Sequence, residues 1–438
     1  MTDTLRAPAE PAAGVTTAPT QPPAPVRNAD KGTFSSLRYV DYRYLWIGTI
    51  FLSAGQWVQQ VTLGWLLYDL TSSSLLLGAL NGMRAIPFLL VGPFAGVVAD
   101  RTDPRTVLKW VQGSLFVSAF VMGTIVITGH TEVWHLFVFT AITGVGWSVV
   151  QPVRQSMVSA TVPKTDVANA VALASVGFNA MKVVGPSLGG FMVAAFGAGG
   201  NFYVQGVSYF AVFVLMFFMN IDYQPKGRRE KSVLEDLKEG LAYCLHDRLM
   251  LSLQLVGLIP SMLAWPVQAL MPVFQKDVLN AGPEALGFLL AAPGVGGVAS
   301  MLLLASMANR MDRKGRFAIV ALTLQGVSVV LFSFTRELPY AFAVMAVFGA
   351  VQLSFHATVM TILQISTPDR LRSRIVSIYM LNTGLSPLGS MAAGALAEWQ
   401  GAPFAFFVVG VATVGFAALM VKLAPALWRW TPPIHAEA

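Results

Sequence analysis

Long apolar stretches recur along this chain, each near the roughly 20 residues that an α-helix needs to cross a bilayer. They lie near 44–67, 75–99, 106–128, 133–153, 167–196 and 201–219. After a polar interval they resume near 249–272, 284–308, 317–335, 339–364, 371–397 and 403–423. The breaks carry turn chemistry: Thr71 to Ser74, Asp103-Pro104, Pro163-Lys164, Gly197 to Gly200, Gly282-Pro283 and Thr367-Pro368. The pattern predicts an all-α integral membrane protein. Its twelve transmembrane helices form two six-helix bundles, over 38–219 and 249–424.

Three segments lie outside the bundles. Residues 1–37 read as a disordered cytoplasmic tail, rich in Pro and without the apolar core of a signal peptide. Residues 220–248 form a cytoplasmic linker. There Val233, Leu234, Leu237, Leu241, Cys244 and Leu245 recur at helical spacing opposite Glu235, Lys238 and Glu239. That spacing predicts an amphipathic helix resting on lipid headgroups. Residues 425–438 form a second cytoplasmic tail.

Composition closes off other classes. Of the 438 residues 55% are hydrophobic and only 12% charged, and the mean hydropathy is +0.62. A soluble domain runs near about 25% charged, so this chain lacks the ions to cover a solvated surface. The single cysteine, Cys244, excludes an internal disulfide framework and a Cys-rich metal cluster.

The net charge of +7 would suit nucleic acid in a soluble protein. Here topology accounts for it. With the N-terminus cytoplasmic, 23 basic residues near the membrane fall on the cytoplasmic side and two, Lys276 and Arg336, on the other. Both termini are therefore expected inside a cell membrane that the chain crosses many times. Its partners are expected to be lipid and a small-molecule substrate, not nucleic acid, and the chain is expected to act as a monomer.

An internal repeat follows the same division. Gly96 to Arg105 reads Gly-Val-Val-Ala-Asp-Arg-Thr-Asp-Pro-Arg, and an offset of 209 places Arg310 on Arg101 and Asp312 on Asp103. Transporters built from related bundles show repetition of this kind. The run with Gly96, Asp100, Arg101, Asp103 and Arg105 resembles the loop motif of the major facilitator superfamily. The run Gly185-Pro186-Ser187-Leu188-Gly189-Gly190 is similar to a motif of that superfamily's exporters. Tyr68 to Ser73 and Pro368 to Arg374 resemble the branch containing the enterobactin exporter and macrolide efflux proteins.

The resemblance implies the major facilitator fold with pseudo-symmetric halves. It also implies that Asp100 and its Arg neighbours latch the halves at the cytoplasmic side, and that Gly185, Pro186, Gly189 and Gly190 shape a helix bend. Two positions depart from it. Asp103 stands where the loop motif usually has Gly, and Thr140 stands where a fourth-helix Arg is often linked to proton coupling.

Polar residues inside the spans must face protein or a wet cavity. Gln56 and Gln60 flank Gln59, Asn81 precedes Arg84, Asn179 precedes Lys182, and Gln352 precedes His356, each pair at helical spacing. Hydrogen bonds between helices are the plainer reading for the glutamines. Arg84 and Lys182 sit deep in their spans, and all 22 acidic residues can be assigned to tails, loops or span ends. Intramembrane cations mark a binding path by default. The alternative role is to hold carbonyls freed by Pro87 or Pro186. The favoured expectation is a cation-lined cavity for an anionic, phenolate-bearing or carbonyl-rich solute.

With five scattered His and one Cys, the chain offers no clustered metal ligands or nucleophile–base pair, so no enzyme, metal or cofactor is expected. The function expected is a secondary active transporter that exports a small amphiphilic molecule by alternating access. Uptake by the same fold and a non-transporting scaffold are the alternatives. Proton coupling is the engine the resemblance implies. Asp69 is the nearest carboxylate candidate and His356 an intramembrane alternative.

Overall fold

In a computed structural model, described here over residues 34–220, 233–307 and 313–431, the protein is almost wholly helical. The first half comprises α1 (Val40–Thr71), α2 (Ser74–Arg101), α3 (Pro104–Ile127), α4 (Val133–Ala160) and α5 (Val167–Phe218). The linker holds α6 (Val233–His246). The second half begins with α7 (Arg248–Ala269) and the single turn α8 (Met271–Val273), then a π-helical turn at Phe274–Val278. It continues with α9 (Pro283–Met307), α10 (Lys314–Ser333), α11 (Leu338–Ser366), α12 (Asp369–Gly384), α13 (Ser386–Leu423) and the short α14 (Pro425–Trp428).

Local chemistry sets the boundaries. Ser72 adopts a left-handed φ of 50° and ends α1. Asp103 caps α3 by accepting from the Arg105 N–H, and Pro104 fills the first helical position, where no donor is needed. Asp247 caps α7 through the N–H groups of Leu249 and Met250. Gly197 (φ 69°) and Gly401 (φ 84°) each turn the chain where two helices meet end to end, so α5 and α13 are both double rods.

Eight helical segments are long and apolar enough to cross a membrane by length and composition. Two of them are the double rods α5 and α13, and α1 and α2 bring the described rods to twelve. Four expectations are adjusted. The fourth span runs on to Ala160, so Arg154 lies inside α4 and not in a loop. The break at 197–200 narrows to Gly197 alone. The eleventh span is divided at Leu385 into α12 and the first rod of α13. The linker helix is docked on protein as well as facing outward. Glu239 pairs with Arg374 of α12 at 2.6 Å, Gly240 abuts Ile378, and Cys244 is buried beside Gln254 of α7, while Leu241 and Leu245 stay exposed.

The packing has two-fold character. In the first half α1 and α3 pack on α5, and α2 packs on α4; in the second, α7 and α10 pack on α13, and α9 packs on α11. Two seams join the halves, α5 against α9 and α2 against α13. Glycines make both seams close. A Cβ on Gly190 would stand 2.7 Å from the Pro283 carbonyl, and one on Gly78 would stand 2.6 Å from the Ser390 carbonyl. Gly287 and Gly394 complete the crossings against the Pro186 and Ser74 carbonyls. Both seams lie at the end of the bundle away from the chain termini.

Candidate functional site

A cavity of about 770 Å³ lies between the halves. The first rod of α5 lines it with Asn179 and Lys182; α11 contributes Gln352 and His356; α7, α9 and α12 add Gln268, Pro293 and Tyr379. Apolar groups such as Val176, Met301, Leu353 and Met360 cover much of the rest. Four residues singled out from sequence, Asn179, Lys182, Gln352 and His356, are thus brought together from both halves. His356 Nδ1 lies 3.3 Å from the Tyr379 hydroxyl. The Asn179 amide donates to the Ser175 carbonyl at 2.9 Å within its own helix.

Gln60, Asn81 and Arg84 line a second, much smaller chamber of about 20 Å³, walled also by Leu80, Pro272 and Gln268. Gln268 borders both spaces. The eight expected cavity residues therefore divide. Four line the large cavity and three the chamber, while Gln56 lines neither and keeps a buried Oε1 with no hydrogen-bond partner. Among the described residues neither Arg84 nor Lys182 donates to a carbonyl beside Pro87 or Pro186. No carboxylate occurs among the described residues lining either space.

Behind the chamber the first half holds a buried polar network. Gln205 donates to Gln59 Oε1 at 2.7 Å and to the Tyr209 hydroxyl at 2.9 Å; Tyr209 donates to Gln59 Oε1 at 3.1 Å. Gln59 donates to Thr143 at 2.8 Å, and Asn201 to Thr62 at 2.7 Å. Gln59 thus fulfils the plainer interhelical reading. Arg154 works similarly, donating to Thr49 of α1 at 3.1 Å and to Gln151 at 3.0 Å. Thr140 is buried with its hydroxyl unpartnered.

At the end away from the termini, polar contacts tie the halves above the glycine seams. Lys276 pairs with Asp69 at 2.8 Å, and Tyr68 donates to Asp277. Glu398 accepts from the N–H groups of Ser74 (2.7 Å) and Leu75 (3.2 Å), and from the Ser73 hydroxyl (3.2 Å). An acid from the second half therefore sits on the N-terminus of a first-half helix, where the helix dipole favours it. The π-helical turn presents Lys276 and Asp277 to this contact. Asp69, the carboxylate candidate for coupling, belongs to this latch and not to the cavity.

The motif residues fall in two groups. The backbone of α2 is helical through Gly96, Asp100 and Arg101, whose side chains lie outside the described residues, as do Arg310 and Asp312 in the repeat. Asp103 and Arg105 pair at 2.9 Å, and Arg105 also donates to the Met219 carbonyl, tying α3 to the end of α5. Burial alone would raise the Asp103 carboxyl, but the Arg105 side chain and N–H outweigh it and hold the group below its ordinary range. The helix runs unbroken through Pro186, and Gly185 and Gly189 seat it on Trp57 and Val58 of α1, while Gly190 meets α9. The run is a packing junction of three helices.

Sequence reasoning missed Gln268, Tyr379, Glu398 and the pairing of Lys276. Gln268 carried a local signal, an amide two residues after Pro266 in an apolar run. Glu398 carried none, because its partners are more than 300 residues away.

This architecture, with two six-helix halves around a central cavity, is that of a membrane transporter. The sequence profile of the transmembrane secretion effector family matches residues 31–430, and the chain belongs to that family, within the major facilitator superfamily. It is 24% identical over 373 residues to the multidrug efflux pump Tap of Mycolicibacterium fortuitum, covering 82% of this chain and 89% of that protein. It is 22% identical over 373 residues to the staphyloferrin A transporter of Staphylococcus aureus, covering 85% and 93%. The fold matches the solved inward-facing, unoccupied structure of a bacterial homologue of the human lysosomal transporter Spinster. That match has a TM-score of 0.71 at 15% identity and covers 90% of this chain and 99% of the other.

Proposed function

We propose that the protein is an efflux permease that moves a small amphiphilic molecule out of the cell by alternating access, as a monomer with both termini cytoplasmic. The observation that carries this reading is the placement of the cavity relative to the seals. The 770 Å³ cavity lies between the halves, and the glycine seams and the Asp69–Lys276 and Glu398 contacts close the end away from the termini. With the termini cytoplasmic, as the charge asymmetry favours, the outer face is the closed one. A mixed wall of apolar groups and a few polar ones suits an amphiphile. Relatives named as a multidrug efflux pump and a staphyloferrin A transporter support the reading.

Asp100 and Arg101 then serve as the cytoplasmic counterpart of the outer latch, a contact made in one state and broken in the other. Proton antiport supplies the energy, and with no described carboxylate in the cavity, Lys182 and His356 are the groups available there to exchange a proton. Accumulation of dyes, macrolides and siderophores in cells with and without the protein tests the direction. Export predicts lower accumulation of at least one compound in expressing cells, and a rise on expression would mean uptake.

A further inference from the structure

We propose that the transported molecule carries an acidic group, and that this group is handed from Lys182 to Arg84 past Gln268 as the halves exchange position. The proposal rests on the export reading and adds the charge of the substrate and its route. Three observations carry it. First, Lys182 lines the large cavity with three donors and no acceptor, and makes no hydrogen bond or ion pair among the described residues. A largely buried cation without a counter-charge is costly to hold. An acid arriving from outside the protein completes the site. Gln352, His356 and Tyr379 face the same space from the second half, so an anion there touches both halves at once.

Second, Arg84 repeats the arrangement one chamber further on. Its guanidinium has no acidic partner among the described residues, and Gln60 and Asn81 stand beside it. The chamber beside the half-buried Arg84, at about 20 Å³, holds no more than about one water, so a solute enters it only when the halves move. A bidentate fork suits a carboxylate once the space opens. Gln268, which borders both spaces, offers an amide donor to an acid passing from one to the other.

Third, the polar groups of the path are ordered by depth, with the two cations, Lys182 and Arg84, outward of His356. His356 lies 18 residues into α11, about 27 Å of helix rise from the outer end. Lys182 lies 15 residues before the break at Gly197, about 22 Å from that end. Arg84 lies ten residues into α2, about 15 Å from it. The stronger and permanently charged group is the outer one. An acid moving outward therefore passes from an ammonium to a guanidinium.

The test uses the full-length protein with dansylglycine and its uncharged methyl ester. Binding is measured in lipid nanodiscs and transport in proteoliposomes. The unchanged protein should bind the acid at least about tenfold more tightly than the ester, as expected for one charge-assisted contact. Lys182→Gln should erase most of that preference, and Lys182→Arg, which keeps the charge, should restore it. Arg84→Gln should keep the preference in binding but slow transport of the acid at least about tenfold more than that of the ester, because its contact follows the first. No preference in the unchanged protein, a preference untouched by Lys182→Gln, or equal slowing of both probes by Arg84→Gln would overturn the proposal. Equal movement of both probes leaves the export reading standing while the acid route falls. Selective binding of the acid with movement of neither probe leaves the acid site standing while the export reading falls.

Discussion

Tyr68 donates a hydrogen bond to Asp277, a residue 209 positions further along the chain. The same offset superposes the two loop motifs and relates Gly78 to Gly287 in the two seams. Equivalent positions of the two halves therefore touch each other at the end away from the termini, and the pseudo-two-fold axis passes between them. The surrounding latch, which joins the halves at that end, should therefore govern its opening.

The latch contacts should differ in strength. Asp69 and Lys276 are both exposed enough for solvent to screen the pair, whose worth is roughly 0.2–1 kcal/mol. Asp69→Asn should thus raise outer opening less than about fivefold. Glu398 serves three donors at a helix start, and Glu398→Gln should cost about 1–2 kcal/mol. Modification of a cysteine at Gln60 by an impermeant thiol reagent, in a Cys244→Ala background, measures both. Greater acceleration in the Asp69 variant would reverse the ranking.

The seams leave no room for a methyl group. Gly190→Ala brings a Cβ within 2.8 Å of the Gly287 Cα, where backbone on both sides cannot yield cheaply. Overpacking of this kind costs about 1–3 kcal/mol and should cut export about tenfold by disfavouring the closed outer end. Gly415→Ala, which meets nothing within 4 Å, should leave export unchanged. Export rates at matched membrane levels decide it.

The Gln59 network should behave as a unit. Gln59→Leu leaves Thr143, Gln205 and Tyr209 buried without their partner, at about 1–3 kcal/mol. Adding Gln205→Leu removes the amide that Gln59→Leu deprives of an acceptor, so the double variant should fall short of the sum of the singles. Thermal inactivation midpoints of the three purified variants measure the coupling. Strict additivity would show that the groups act independently.

How much of this was legible follows from distance along the chain. Apolar runs and turn residues marked the spans, because a bilayer imposes length and leaves no freedom over backbone hydrogen bonds. Arg154 was misplaced for a local reason. The expected span stopped at 153, just before the charged Arg154, yet α1 supplies Thr49 as an acceptor and α4 continues to Ala160. The linker helix showed its amphipathic face but not that Glu239 meets Arg374, which only the path of α12 decides. Lys182 and His356 could each be singled out from sequence; that they share one cavity, and that Arg84 stands apart from it, required the two-fold packing of the halves.

Asp103 makes a pH prediction outside the membrane. Its carboxyl lies below the ordinary value, so its contribution to stability is complete above the unfolded pKa of about 3.9. That contribution is lost as pH falls through the lower folded value. Asp103→Ala should lower stability by about 0.5–2 kcal/mol at neutral pH through loss of the α3 cap. The deficit relative to the unchanged protein should hold to about pH 4 and shrink below it. A deficit that shrinks already between pH 7 and 5 in thermal scans would contradict the depressed value.

The central claim, that the halves must part at the latch for each molecule exported, has one direct measurement. In a Cys244→Ala background, cysteines at Asp69 and Lys276 are joined by a short bifunctional thiol reagent cleavable by reductant. The account predicts that dye export stops in proportion to the fraction cross-linked and returns when the link is cleaved. Export continuing at the uncross-linked rate with the link fully formed would contradict it.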